Sequence, residues 1–287
     1  MDPSHEPNAP LELSANLEWW NEKASIHPET PMYRRSIQHL RDGGVALHAL
    51  ERDEVGEVAG RTLLHLQCHI GTDTLSWARL GARATGVDFS PVAVDTARRL
   101  SAELGIPARF VHTSIEELDE HLPVGAETDA YDIVFSSYGA VLWIRDLTTW
   151  ARKIAARLRP GGFFYLADGH PAAMTLDVDR DAAEFCLQVR YPYFASGEAL
   201  RWNEPGTYAG RDVETQHDVT YEWPHSIAEV LTALIDAGLA IEQFHEHPHC
   251  VWPAFPGMTE EPDGTYHLPA SFRGRVPMMY SLRARRP

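Results

Sequence analysis

Residues 61–90 read RTLLHLQCHIGTDTLSWARLGARATGVDFS, and they carry the strongest structural pattern in the chain. Thr62–Leu66 form an apolar run of strand length, and from Thr72 onward apolar residues recur at the spacing of a helix. Residues 83–87 form a second strand-length run, which is followed by Asp88. A strand, a tight turn, a helix and a returning strand within about 30 residues are typical of a βαβ unit.

The turn after the first strand and the acid after the second strand together predict a nucleoside site. A carboxylate at the end of the second strand is the usual partner of ribose hydroxyls, and Asp88 occupies that position. A dinucleotide site would need the pattern G-x-G-x-x-G, whereas this turn contains Gly71 alone. A nicotinamide-dependent oxidoreductase is therefore the disfavoured alternative.

The stretch instead resembles motif I and the acidic motif II of the class I S-adenosylmethionine-dependent methyltransferases. It departs from the commonest family pattern in three places, because His65 replaces an acid and Gln67 and His69 replace glycines. The first departure puts a carboxylate contact to the methionine amino group in doubt, and the other two suggest a tighter turn lined by side chains. The block is similar to one found in a bacterial subgroup of the family.

The resemblance implies S-adenosylmethionine as cofactor and assigns a part of it to each strand end. Residues 67–74 would hold the methionine moiety, Asp88 the ribose, and the residues after the third strand the adenine. The cofactor-binding residues implied are Gln67, Cys68, His69, Gly71, Thr74, Asp88, Phe89, Ser90, Ser114, Ile115, Ser136 and Ser137.

The pattern that follows residue 90 predicts an α/β fold. Strand-length runs at 108–112, 131–135 and 162–167 alternate with helical segments, and such crossovers produce a parallel sheet with helices on both faces. RLRPGGFFYLADGHP, residues 157–171, resembles a frequent family signature. We therefore expect a doubly wound, Rossmann-like, seven-stranded sheet that ends in an antiparallel hairpin formed by residues 240–245 and 275–283.

The sequence pattern and the resemblance together predict four parts of the chain. Residues 1–58 would form an amino-terminal helical lid segment, 59–170 the cofactor-binding core, 171–223 a substrate-cap insertion after the fifth strand, and 224–287 the rest of the core sheet. For the first part the alternative is an amphipathic helix packed on the core. For residues 171–223, which are rich in aromatics, proline and glycine, the alternatives are a second small core or a dimer contact.

Two residues are candidates for catalysis. His170 follows the fifth strand and is placed either to accept the acceptor's proton or to order the chain before Pro171. Tyr138 lies in the loop SSYG after the fourth strand and is either a pocket wall or a hydrogen-bond partner of the acceptor. The residues expected to contact the substrate are Trp20, Tyr33, Trp143 and His225.

His245, His247 and His249 alternate and precede Cys250, which raises the question of a metal site. One extended strand spaces alternate side chains about 7 Å apart, too far for three imidazoles to share an ion without a bend. We therefore predict no metal. A solvated strand end or a polar wall of the substrate pocket is the better interpretation.

Composition excludes several classes of partner. The chain has 287 residues, 25 Lys plus Arg against 41 Asp plus Glu, and a net charge of −16. Nucleic acids and anionic membranes bind basic surfaces, so neither is an expected partner. No secretory signal is visible, and three scattered cysteines are typical of a reducing compartment, so we expect a cytoplasmic protein. A homodimer is left open.

The function predicted from the sequence is methyl transfer from S-adenosylmethionine to a small-molecule acceptor, most readily at oxygen or nitrogen, by direct in-line displacement. The SSYG loop lacks the Asn/Asp-Pro-Pro-aromatic tetrad of enzymes that methylate DNA amines or glutamine side chains. The other alternative is a catalytically silent protein that binds S-adenosylmethionine and acts as a regulatory partner.

Overall fold

A computed structural model describes residues 9–123, 130–179, 182, 184–194, 197–210 and 213–287. Residues 1–8 of the predicted lid segment, and residues 180, 181, 183, 195, 196, 211 and 212 of the predicted cap, lie outside the described residues.

A seven-stranded sheet forms the centre of the molecule. In chain order its strands are β1 (Thr62–Leu66), β2 (Arg83–Asp88), β3 (Arg109–His112), β4 (Tyr131–Ser137), β5 (Leu158–Gly169), β10 (Ala240–His247) and β13 (Met279–Arg285). Their spatial order is β10-β13-β5-β4-β1-β2-β3, with β1 to β5 parallel and β13 antiparallel to both neighbours. This arrangement confirms the predicted seven-stranded sheet and its closing hairpin.

Helices cover both faces of the sheet. They are α1 (Ala9–Ile26), α2 (Pro31–Arg41), α3 (Ala49–Val55), α4 (Thr72–Arg79), α5 (Pro91–Leu104), α6 (Leu118–His121), α7 (Leu147–Arg157), α8 (Pro171–Met174) and α9 (Ile227–Asp236). Leu64 and Val134 pack with residues of α7 and α9 on one face, whereas their neighbours Leu63 and Ile133 pack with Trp77 of α4 on the other. Alternate strand residues thus enter two apolar cores, as a doubly wound sheet requires.

Residues 171–223 form two small antiparallel hairpins. The first pairs β6 (Leu176–Val178) with β7 (Leu187–Val189), and the second pairs β8 (Leu200–Asn203) with β9 (Val219–Glu222). A third two-stranded pair, β11 (Thr259–Glu260) with β12 (Tyr266–His267), lies in the loop before β13.

The amino-terminal helices and the second hairpin are joined directly. The Asn16 amide donates to the carbonyl of Tyr221 and accepts from its N–H, both at 2.8 Å. Glu22 accepts the N–H groups of Gln216 and His217 at 2.8 and 2.9 Å. The segments predicted as lid and cap therefore contact one another.

Two element boundaries differ from the sequence prediction. The helical segment predicted within residues 1–58 is interrupted, because Gly43 and Gly44 separate α3 from α2 and Gly43 adopts a positive φ of 89°. The last strand begins at Met279 rather than residue 275, because Pro277 has no N–H to give to the ladder.

Candidate cofactor and substrate site

The turn after β1 adopts a backbone that side chains rarely tolerate. Gln67 and His69 have positive φ angles of 54° and 50°, followed by Gly71 at 80°. Side-chain contacts offset this strain. Gln67 Nε2 donates to the carbonyl of Ala140 at 2.9 Å, and His69 Nε2 lies 2.7 Å from Nδ1 of His27. The turn is therefore lined by side chains where the commonest family pattern has glycines.

Gly71 is required by space as well as by its backbone angle. A Cβ at this position would lie 2.7 Å from Cε1 of Phe110 and 2.9 Å from Cβ of Ala97. The turn consequently packs directly against β3 and α5.

Asp88, at the carboxyl end of β2, is tied to this turn. Its Oδ2 accepts the N–H of His69 at 2.8 Å, and its Oδ1 accepts the N–H of Ser90 at 2.9 Å. Burial raises the pKa of Asp88 to about 6, so the carboxylate predominates at neutral pH. Each carboxylate oxygen keeps a second lone pair for a ligand.

A cavity of about 590 Å³ lies beside the carboxyl ends of the parallel strands. Eleven of the sequence-predicted site residues line it: Trp20, Tyr33, Gln67, Cys68, His69, Asp88, Phe89, Ser137, Tyr138, Trp143 and His225. The volume is in the range of pockets that hold a drug-sized ligand. The structure thus brings the candidate cofactor residues of β1, β2 and β4 together with all four candidate substrate residues.

Six of the predicted cofactor residues lie outside this lining. They are Gly71, Thr74, Ser90, Ser114, Ile115 and Ser136. Thr74 Oγ1 lies 2.8 Å from Nδ1 of His65, and Ser90 caps α5 by accepting the N–H of Ala93. Ser114 Oγ accepts the N–H of Glu117 at 3.2 Å. These contacts stabilise the turns around the cavity, and direct ligand contacts by the six residues stay predictions.

His170 also lies outside the cavity lining. Its Nδ1 accepts the N–H of Ala172 at 3.0 Å, and its Nε2 lies 3.1 Å from Oε1 of Glu246. Both ring nitrogens are therefore engaged in capping α8 and holding β10. This placement speaks against the predicted role of His170 as general base, and it fits the alternative of a histidine that orders the chain before Pro171.

Tyr138 lines the cavity with a strained backbone. Its φ is 45°, and its hydroxyl donates to Oε2 of Glu51 at 2.5 Å. Glu51 is fully buried, its Oε1 accepts the N–H of His48 at 2.7 Å, and burial raises its pKa to about 8. Sequence reasoning missed this pair, because 87 positions separate its members.

Asp168 fixes the loop that carries Tyr138. Its carboxylate accepts the N–H groups of Gly139 at 2.5 Å, Ala140 at 3.0 Å, Val141 at 2.9 Å and its neighbour Gly169 at 2.7 Å. Sequence reasoning missed this residue, although an acid at the end of a buried strand is the same signal that identified Asp88.

Asp73 is a second carboxylate that sequence reasoning missed. It lies in the first turn of α4 and lines the cavity. Its nearest hydrogen-bond donors are the hydroxyls of Ser137 and Thr72, both at 3.4 Å. Burial raises the pKa of Asp73 to about 6.

Aromatic rings of the amino-terminal segment cover the turn after β1. Trp20 contacts the rings of His69 and Trp143 edge-on, with centroid separations of 5.2 and 5.3 Å. Tyr33 stacks on His27 with centroids 4.7 Å apart. Burial lowers the pKa of His27 to about 2 and that of His69 to about 3, so both imidazoles are neutral at pH 7.

The alternating histidines at the end of β10 and just after it form a row of side chains that is absent from the cavity lining. Ring centroids are 6.4 Å apart for His245 and His247, and 5.8 Å apart for His247 and His249. His245 pairs with Glu54 at 2.6 Å, and His247 bonds Ser281 at 2.9 Å. Within the described residues, no group of histidine, cysteine or acidic side chains is arranged to hold a metal ion.

Among the residues that the structure describes, no helix combines the length and apolar character needed to cross a bilayer.

Comparison with known proteins agrees with this geometry. The methyltransferase domain family matches residues 63–162, which include the β1 turn, Asp88 and Tyr138. A ubiquinone biosynthesis O-methyltransferase of Methylobacterium sp. (strain 4-46) is 30% identical over 52% of this chain and 57% of its own length. Another, from Xanthomonas euvesicatoria pv. vesicatoria (strain 85-10), is 33% identical over 56% of this chain and 60% of its own length. The chain thus spans less than two thirds of the length of these two relatives.

Solved structures share the fold. A S-adenosylmethionine-dependent methyltransferase from Mesorhizobium loti superposes with a TM-score of 0.58 at 21% identity, covering 83% of this chain and 96% of its own. A putative methyltransferase of the same class from Listeria monocytogenes has a TM-score of 0.57 at 18% identity, covering 83% and 98%. The sheet, the matched domain and the relatives agree: residues 63–162 match a methyltransferase domain, and the fold is similar to that of solved S-adenosylmethionine-dependent methyltransferases.

Proposed function

We propose that the protein transfers a methyl group from S-adenosylmethionine to a small molecule bound in the same cavity. One observation carries this proposal. The carboxylate of Asp88 accepts the N–H of His69 in the turn after β1, and the carboxylate and the turn line the same cavity. A ribose carboxylate next to a helix-opening turn is the arrangement with which such sheets hold a nucleoside.

Polar groups at the cavity fit the cofactor. Gln67 Oε1 is buried and has no hydrogen-bond partner among the described residues, so it can accept from a ligand. The first N–H groups of α4 have no partner within their own helix and can meet a carboxylate. Gln67, His69 and α4 would hold the methionine moiety, and Asp88 would hold the ribose.

The aromatic rings of Phe89, Trp20 and Trp143 would hold the adenine. Phe89 follows Asp88 in the lining, and Trp20 and Trp143 pack against each other on the same cavity. Base stacking on aromatic rings needs no particular hydrogen-bond pattern. Phe89 and the two tryptophan rings line the cavity, whereas Ser114 lies outside the lining, so we propose these rings as the main adenine contacts.

When bound, S-adenosylmethionine supplies a methyl group on a positively charged sulfur. The residues of this chain would align the acceptor with that group and exclude water, which are the main contributions a protein makes to in-line displacement. Tyr138 would orient the acceptor, because its hydroxyl is fixed by Glu51 and its loop is fixed by Asp168.

The amino-terminal helices and residues 171–223 would form the cover of the site. His27 bridges the turn and the insertion, since its Nδ1 lies 2.7 Å from His69 Nε2 and its Nε2 lies 2.7 Å from Thr207 Oγ1. The hydroxyls of Tyr33 and Tyr208 meet at 2.7 Å. Ligand exchange would require these contacts to open.

A hydroxyl on a small aromatic or apolar molecule is the acceptor we propose. Aromatic side chains from several segments line the cavity, including Tyr191, Trp202 and Trp252, and they suit a flat ring. The relatives named O-methyltransferases support oxygen as the methylated atom.

Release of S-adenosylhomocysteine tests this proposal. The protein is incubated with S-adenosylmethionine and a panel of phenols, catechols and amines, and the Asp88→Ala variant serves as control. We expect acceptor-dependent release with a hydroxylated ring, and at most a trace with the variant. Binding of S-adenosylmethionine without turnover on any acceptor would overturn the enzymatic proposal in favour of a regulatory protein.

A further inference from the structure

The position that carries an acid in the commonest pattern of motif I has no charge in this chain. His65 lies near the carboxyl end of β1, is 3% exposed, and has its Nδ1 2.8 Å from Thr74 Oγ1. Burial lowers its pKa to about 3, so the ring is neutral at pH 7. A neutral imidazole gives a cationic ligand group no counter-charge.

A carboxylate is nevertheless available, because Asp73 lines the same cavity as His65. Among the described residues, its oxygens meet two distant hydroxyls, those of Thr72 and Ser137, both at 3.4 Å. In the part of the chain that the structure describes, no lysine or arginine forms an ion pair with it. A desolvated carboxylate without a cation is costly, and such a cost is usually offset by a partner.

The groups that interact electrostatically with Asp73 include phenols and a carboxyl group. The charge of Asp73 contributes to the raised pKa values of the Tyr33 and Tyr138 phenols and of Glu51, so none of these groups provides a positive charge. Gln67 Oε1, also on the cavity, is buried without a partner among the described residues. A ligand group with several N–H donors and a positive charge would satisfy both acceptors.

We propose that Asp73 binds the α-ammonium group of the cofactor's methionine moiety and replaces the acid that is missing at position 65. This inference rests on the proposed function. The carboxylate at the cavity wall thus comes from the first turn of α4 and not from the end of β1. The contact makes Asp73 a determinant of selectivity for ligands that keep the amino-acid group.

The alternative is that Asp73 only stabilises α4, since acids favour the first turn of a helix. The two roles predict different binding affinities for a set of ligands that differ in the amino-acid group. S-adenosylhomocysteine carries the α-ammonium, decarboxylated S-adenosylmethionine keeps an ammonium without the carboxylate, and 5′-methylthioadenosine has neither group. A helix-stabilising residue would not distinguish these ligands.

Calorimetric titration of the full chain with the three ligands tests the proposal. Asp73→Asn should lower the binding affinity for S-adenosylhomocysteine and decarboxylated S-adenosylmethionine by roughly 10- to 100-fold, the range expected for a hydrogen bond to a charged group. Binding of 5′-methylthioadenosine should change by less than about twofold, because no charged contact is lost. Asp88→Asn is the matched control and should weaken all three ligands, because each retains the ribose.

Equal weakening of all three ligands by Asp73→Asn, or no weakening of any, would overturn the assignment to Asp73. Thermal unfolding of each variant accompanies the titrations, so that loss of folding is recognised. Failure of the wild-type protein to bind any of the three would instead contradict the proposed function.

Discussion

The imidazole of His27 is hydrogen-bonded to the imidazole of His69, with 2.7 Å between Nδ1 and Nε2. His27 belongs to the segment between α1 and α2, and His69 lies in the left-handed backbone of the turn after β1. One contact therefore connects the cover of the site to the turn that begins the nucleoside-binding unit. His69, one of the three departures from the commonest family pattern, thus also anchors the cover.

Removal of this contact should loosen the cover. In His27→Ala, hydrogen exchange over α1 and α2 should become faster, and S-adenosylhomocysteine should dissociate faster, because both the His69 and the Thr207 bonds are lost. His39→Ala, on an exposed position of α2, is the matched control. Unchanged exchange in His27→Ala would show that the other contacts hold the cover.

Gly71→Ala should destabilise the fold strongly. The added methyl would meet Phe110 at 2.7 Å and Ala97 at 2.9 Å, and the residue has a φ of 80°. Steric strain and backbone strain together should lower the free energy of unfolding by about 2–5 kcal/mol. Gly105→Ala isolates the backbone term, because its φ is 62° and no atom lies within 4 Å of the added methyl. If denaturant titrations gave the same loss in the free energy of unfolding for both variants, the steric contribution of Phe110 and Ala97 at Gly71 would be contradicted.

Asp168→Asn should destabilise the loop that holds Tyr138. An amide group offers one acceptor oxygen and places an NH₂ against backbone N–H donors, whereas the carboxylate accepts four of them. We expect a loss of about 2–4 kcal/mol in the free energy of unfolding. Asp146→Asn, at the more exposed N-cap of α7, should cost less. Similar losses for the two variants in urea unfolding would show that the four bonds are of little consequence.

Binding of S-adenosylhomocysteine should weaken as the pH falls through about 6. The pKa values of Asp73 and Asp88 are raised by burial to about 6 in the free protein. Protonation below that pH removes the two carboxylates from the site. His27 and His69 stay neutral over this range, because their pKa values are lowered to about 2 and 3.

A variant separates the two carboxylates in that pH profile. Asp73→Asn should bind S-adenosylhomocysteine more weakly than the wild type at pH 7.5. Its affinity should then fall less steeply between pH 7 and 5, because only Asp88 still titrates among the proposed contacts. Glu51, with a pKa raised to about 8, is bonded to Tyr138 and changes charge above this range. Parallel wild-type and variant profiles from calorimetry would remove Asp73 from the ligand contacts.

The sequence predicted the parts of the site that depend on local pattern. The βαβ unit, the position of Asp88 and the seven-stranded sheet follow from periodicity, turn residues and the resemblance to a family. The structure places Gln67, His69 and Asp88 on one cavity because one turn and one strand end carry all three.

Parts of the site that depend on tertiary contacts could not be predicted. For His170 the sequence left two interpretations open, a general base or a residue that orders the chain before Pro171, and only the folded chain shows the hydrogen bonds to Ala172 and Glu246 that engage both of its nitrogens. Glu51 lies on α3, and only the folded chain brings it to Tyr138. Periodicity does not report such long-range pairs.

Calorimetric titration with S-adenosylhomocysteine, on the wild-type protein and on Asp88→Ala, tests the assignment of this cavity to S-adenosylmethionine. We expect saturable binding to the wild type and a large loss of affinity in the variant, with no comparable binding of NADH to either. Tight binding of NADH to the wild type together with no binding of S-adenosylhomocysteine would contradict this assignment.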